Sequence, residues 1–175
     1  MSAMKVKSEG SSLNWFTGVK SKTTFVDLRP VVVSVEDHEY YLFGALKAIA
    51  IQINDAKEIL HYNYDWDDEG ALPTSPQVFH NAINFLVSYS NFIFRRFDDA
   101  IIATPYIDIL KDGGVSILWD TPKARFLIFF KNSASSYAYF FAEKTDTKIP
   151  FKSAIEINAP VDESIASWMK ANLSI

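Results

Sequence analysis

Between residues 65 and 69, four carboxylates crowd one tryptophan: Asp65, Trp66, Asp67, Asp68 and Glu69. Gly70, Ala71, Leu72 and Pro73 follow. Residues 61 to 70 hold these four acids and neither lysine nor arginine, which matches the formal net charge of −4 for the whole chain. Like charges this close repel, so a tight turn or a ligand must justify holding them together. Carboxylates are the oxygen donors that hard cations take, and Asp65, Asp67, Glu69 and Gly70 fall at positions one, three, five and six of an EF-hand-like calcium loop. The match then fails, because position twelve should be a bidentate Glu and is Pro76, and Pro73 interrupts the loop. No metal or cofactor is expected there. Asp65, Asp67, Asp68 and Glu69 read instead as a contact surface for another macromolecule, with a divalent site of a metal-dependent hydrolase as the alternative.

Other chemistry is sparse. His38, His61 and His80 lack the i, i+4 spacing by which two helical histidines hold zinc. His61 and His80 could approach the acidic loop from two helix ends, beside Asp67 and Asp68, but each alone reads as a surface or helix-end residue. No serine stands in a nucleophile-elbow context. Gly113-Gly114 is a hairpin turn rather than a phosphate loop, and without cysteine there is neither a thiol nucleophile nor a disulfide. The sequence thus offers no catalytic residue. Aromatic residues make up 15% of the chain, many of them on strand-like segments: Trp119, Phe126, Phe129, Phe130, Tyr137, Tyr139, Phe140 and Phe141. Aromatics on an open sheet stack single-stranded bases where basic residues accompany them. Here only Lys123, Arg125 and Lys131 are near. Core packing is the simpler reading, and an exposed patch that receives a protein partner or a second copy of the chain is the other.

The elements that must hold these residues form an α+β pattern. A chain of 175 residues that is 49% apolar and 22% charged fits one domain with a real core. Residues 1–23 carry Lys5, Lys7, Lys20 and Lys22 against Glu9 and read as a flexible basic N-terminal arm; residues 24–175 read as a single α+β domain. Met1 to Thr24 contains no apolar run of the signal-peptide kind, and Phe43 to Ile53 is too short to span a bilayer. The absence of cysteine fits a reducing compartment, so the expectation is a soluble cytoplasmic protein. A pI near 5.3 opposes general nucleic-acid binding.

Thr24 to Val35 has strand character, with Pro30 placing it at an edge. Ser34-Val35-Glu36-Asp37 resembles a capping box that opens a helix running to about Leu60, striped by Leu42, Leu46, Ile49, Ile53, Ala56 and Leu60. Ser75-Pro76 starts a second helix. Phe79, Ala82, Ile83, Leu86, Ser90 and Ile93 form its inner face, and Arg95 and Arg96 lie in its last turn. Two long antiparallel helices should then pack on a four- to five-stranded antiparallel meander. The expected strands are Ile101 to Leu110, Val115 to Trp119, Phe126 to Phe130 (covered on both faces or partly at an interface), Tyr137 to Glu143 and Phe151 to Ile157. Pro160-Val161-Asp162 leads into a C-terminal helix with Ile165, Trp168, Met169 and Leu173 inward.

With these residues in view, the stretch from Asp65 to Pro73 resembles the Trp-Asp-x-x-Gly-Ala-x-x-Pro signature of short bacterial and phage-borne proteins without an assigned activity. The helix face Ala82 to Leu86, Pro105, the Asp112-Gly113-Gly114 turn and Trp119 continue the likeness, which spans roughly residues 60 to 131. Glu69 departs from it, standing where the group often has an aromatic or small residue. The resemblance implies no catalytic role. Physically, Trp66 would plug the gap between the helices, Gly70 would take a backbone conformation closed to other residues, Pro73 would fix the entry to the second helix, and Trp119 would pack against the same loop. The expectation is a small non-enzymatic protein acting through protein interaction, by analogy an accessory or antitoxin-like protein of a mobile element. The alternatives are the metal-dependent hydrolase at residues 65–69 and a nucleic-acid module built on the basic arm and the aromatic strands.

Overall fold

The computed structural model describes residues 29–147 and 149–175. The arm assigned to residues 1–23, and the start of the strand expected from Thr24, lie outside them.

The described chain begins as a hairpin. β1 (Pro30–Val35) pairs antiparallel with β2 (His38–Phe43), with Val35 opposite His38. The capping box read at Ser34 to Asp37 is therefore a two-residue turn, in which Glu36 takes φ 49°. Alternation explains the correction: Val33, Val35, Tyr40 and Leu42 are buried while Val32, Ser34, Glu39 and Tyr41 are exposed. That period of two outweighs a local capping signal, and β-branched residues suit it.

A 3-10 turn at Gly44–Leu46 then leads into α1 (Lys47–Ala56), which tightens into a second 3-10 segment at Lys57–His61. α1 keeps part of the expected stripe, with Ile49, Ile53 and Ala56 buried. It is ten residues long, so the expected pair of long helices reduces to one. The long one is α2 (Pro76–Arg96), whose N-cap Ser75 side chain accepts from the Val78 N–H and whose first residue is proline, as expected. α1 packs on β1 rather than along α2, which contacts β2.

The meander has five strands: β3 (Tyr106–Ile109), β4 (Val115–Asp120), β5 (Ala124–Phe130), β6 (Tyr137–Lys144) and β7 (Pro150–Glu156). They are antiparallel in the order β3-β4-β5-β6-β7. α3 (Glu163–Leu173) closes the chain, capped by Asp162, which accepts from Ser164 and Ile165 N–H. The run expected from Ile101 to Leu110 is a strand only from Tyr106, since Pro105 cannot donate to a ladder. Ile102 instead bridges to Ser174. One face of the sheet, carrying Ile107, Ile117, Trp119, Phe126, Ile128, Phe130 and Phe140, joins Phe79, Ile83, Leu86, Ile93, Met169 and Leu173 in a single core. The opposite face carries no described element. β5 is consequently covered on one face: Phe126, Ile128 and Phe130 are buried, whereas Leu127 and Phe129 are partly exposed.

Candidate functional site

The acidic loop turns its carboxylates onto its own backbone. Asp65, Asp68 and Gly70 have φ of 65°, 59° and 84°, and so irregular a path leaves N–H groups in want of acceptors. Asp65 Oδ1 accepts from the Gly70 N–H at 2.6 Å, and Asp67 Oδ1 accepts from Glu69 and Ala71 N–H at 2.9 and 3.0 Å. Partial desolvation pushes the Asp67 carboxyl up, but the N–H groups of Ala71 and Glu69 and the Lys111 ammonium together hold it below the ordinary carboxylate value. Glu69 pairs with Lys111 Nζ at 2.6 Å. The four carboxylates thus do not form one open ligand set. Among the described residues no three His, Asp or Glu side chains are placed to hold a metal ion.

The loop is anchored, though not through Trp66. Trp66 does not plug a gap between helices; it is 38% exposed and stacks on Tyr62 at 5.3 Å between ring centroids. Ala71 is the fully buried residue of the stretch. Gly70 does adopt positive φ, as expected. Leu72 N–H donates to the Lys111 carbonyl at 3.0 Å, and the Pro73 carbonyl accepts from Asn132 Nδ2 at 3.3 Å. Gly113, at φ 76°, lies so close to Pro73 that a Cβ there would sit 2.4 Å from its carbonyl oxygen. Pro73 therefore locks the loop against the β3–β4 hairpin. Trp119 lies at the other end of β4. It is buried beside Phe126, which touches Trp168 of the C-terminal helix, and its Nε1–H donates to the Ala103 carbonyl at 2.8 Å, so its partners lie away from the acidic loop.

His80, expected at the surface or a helix end, lies instead within the fold. It is buried, with Nδ1 hydrogen-bonded to the Tyr40 hydroxyl at 2.6 Å and Nε2 facing Glu36 Oε2 at 3.2 Å. The His38 ring lies 4.1 Å from it, centroid to centroid, and burial pushes the Tyr40 hydroxyl up. This cluster ties the β1–β2 turn to α2. Tyr40 and Glu36 lie 40 and 44 positions from His80, so only the hairpin alternation in the sequence hinted at the cluster.

The outer face of the sheet is the larger exposed feature. Tyr106, Leu118, Leu127 and Phe141 form one cross-strand row, and Asp108, Ser116, Phe129 and Tyr139 the next. Tyr106 is 66% and Tyr139 43% exposed, while Leu118, Leu127, Phe129 and Phe141 are partly exposed. Lys131 lies over the Tyr139 ring at 4.9 Å and Lys152 over Phe141 at 5.5 Å. Arg125 pairs with Asp120 at 2.7 Å, and Asp108, Glu143 and Glu156 share this face by register. The face thus sets three cations against four carboxylates, with no basic excess. A cavity of about 300 Å³ opens on the inner side between α2 and residues 157–161, floored by Phe85, Tyr89, Phe130 and Ile155. Among the described residues lining that cavity the one carboxylate is Glu156, which belongs to the outer face by register.

Counted along the chain, Pro73 stands one position short of the proline in the signature that residues 65–73 resemble. Compared with protein-family models, curated proteins and solved structures, the chain matches none. No helix among the described residues is long and apolar enough to cross a membrane.

Proposed function

We propose that this chain acts by binding another protein through the outer face of its five-stranded sheet, with no chemistry of its own. The observation that carries the reading is the apolar row Tyr106–Leu118–Leu127–Phe141 with Phe129 and Tyr139 beside it, on the face opposite the helices. Leu and Phe side chains kept partly in solvent across several strands mark an interaction surface rather than scattered surface apolars. Three cations against four carboxylates on the face favour a protein over a phosphate backbone, which would require a basic excess. Asp65 and Asp67 already serve the loop's N–H groups, which counts against the hydrolase reading. The acidic loop is then a secondary contact, through Asp68 and Glu69. An accessory or antitoxin-like role in a mobile element remains the biological setting proposed by analogy.

Capture of host proteins on the wild-type chain and on Leu127→Lys with Phe129→Ser, compared by mass spectrometry, tests this. Both substitutions lie on an exposed face, so the melting temperature should hold while the captured partner is lost. Partner loss on Asp68→Asn with Glu69→Gln alone, with the sheet variant still binding, would move the site to the loop. Saturable binding of a single-stranded oligonucleotide by fluorescence anisotropy would instead favour the nucleic-acid module.

A further inference from the structure

The two edges of the five-stranded sheet are built differently. β3 has four residues, follows Pro105 and has α1 packed beside it. Short length, proline and cover are the ordinary protections against edge-to-edge pairing. β7 has seven residues, and among the described residues no strand pairs with its far side. Ile149, Phe151, Tyr137 and Tyr139 gather around it, all exposed.

The direction of its free backbone groups follows from one hydrogen bond. Ile157 N–H donates to the Ser136 carbonyl at 2.8 Å, continuing the β6–β7 register. In an antiparallel ladder this direction alternates residue by residue. Phe151, Ser153 and Ile155 therefore pair with β6, while Lys152, Ala154 and Glu156 turn N–H and C=O to the open side. The side chains of these last three share the outer face, since they stand opposite Phe141, Tyr139 and Tyr137.

We propose that β7 is the interface with a second copy of this chain, pairing antiparallel about a two-fold axis at Ala154. In that register Lys152 faces Glu156 of the other copy, and Glu156 faces its Lys152. The two small Ala154 side chains meet at the axis. Opposite charges placed directly across a strand pair stabilise it, and each of the three facing pairs exchanges both of its N–H···O bonds. On the inner side, the exposed Phe151 comes opposite Ile157 of the other copy. Moving the axis to Ser153 would set Lys152 against Ala154 and put Pro150, which has no N–H, opposite Glu156. The charge pattern thus selects one isologous register. The product is a single sheet running through both copies, with the two outer faces side by side. A repetitive or dimeric partner would then be bound bivalently. This inference does not depend on what the outer face binds.

Sedimentation equilibrium of the full chain from micromolar to millimolar concentration should show a monomer–dimer equilibrium. Ala154→Pro removes an N–H that β6 does not use, so the fold should stand while the dimer disappears. Lys152→Glu and Glu156→Lys should each weaken self-association by at least about tenfold, because each sets like charges face to face. An equimolar mixture of the two should restore it as a heterodimer. A wild-type monomer across the whole range overturns the proposal, as does a dimer indifferent to Ala154→Pro or to the charge exchange. A monomer that dimerises only once residues 1–23 are removed overturns it too, since the chain's own N-terminal segment would then hold the edge.

Discussion

The acidic loop and the outer face of the sheet hold side chains of opposite character, and each is placed against its type. Asp65 and Asp67, the charged groups expected to meet a partner, turn onto backbone N–H groups a few residues away. Leu127 and Phe129, expected to be covered by the fold or at an interface, stand partly in solvent. Backbone geometry accounts for both. A loop with positive φ at Asp65, Asp68 and Gly70 cannot close a regular ladder, so it recruits nearby carboxylates as acceptors. A five-stranded sheet with helices on one side leaves every second residue on the other side, whatever its type. In this molecule polarity is a poor guide to which surface is free, and backbone hydrogen-bonding demand is a better one.

The largest expected effect tests whether the loop is as firmly held as this comparison requires. Gly113→Ala would push a Cβ into the Pro73 carbonyl at 2.4 Å and into Asn132 Nδ2 at 2.6 Å, at φ 76°. It should lose about 3 kcal/mol or more in chemical denaturation, combining backbone strain with a clash against backbone. Gly70→Ala is its contrast. The φ is equally left-handed, but the nearest atom to the added Cβ is Tyr64 Oη at 3.9 Å, so about 1 kcal/mol of conformational cost should remain. Equal losses at the two glycines would show that the loop–hairpin contact contributes nothing.

Next in size is a polar group that, unlike those of the loop, has no water to fall back on. Tyr40→Phe strands His80 Nδ1 in a buried site and should cost about 1–3 kcal/mol. A smaller loss would mean that the hairpin opens readily from α2, which protection of β2 amides in hydrogen exchange would reveal.

Trp66→Ala should cost less than about 1.5 kcal/mol, the scale of an exposed aromatic pair, and not the ~3–5 kcal/mol of a core aromatic. A loss in the core range would return Trp66 to the anchoring role expected from the sequence.

The smallest effect is a pH dependence. Asp67 titrates below its ordinary value, so folding favours its carboxylate. That stabilisation is complete above ~pH 4 and fades as the pH falls through the lower folded value. Asp67→Asn retains an oxygen acceptor but not the charge. The gap in melting temperature between wild type and variant should therefore narrow between about pH 6 and about pH 3. A constant gap would show that Asp67 acts through the geometry of its hydrogen bonds and not through its charge.

The sequence by itself determined the elements whose signals are local. Ser75-Pro76 caps and starts α2 because an N-cap oxygen and a first-turn proline act within a few residues. Asp112-Gly113-Gly114 turns β3 into β4 because Gly113 supplies the positive φ. Asp162 opens α3 in the same local way. Where a local signal misled, the structure overrode it. Ser34 to Asp37 reads locally as a capping box, and its place in a hairpin turn follows from burial of Val33, Val35, Tyr40 and Leu42 against α1 and α2, which no window of neighbouring residues contains. Tertiary structure alone decided which side of β5 the helices cover, how Trp66 and Trp119 came to lie apart, and how Glu36, Tyr40 and His80 met. Each is a contact between distant segments, set by how whole faces pack, and the free energy of such packing is not written in the spacing of any one motif.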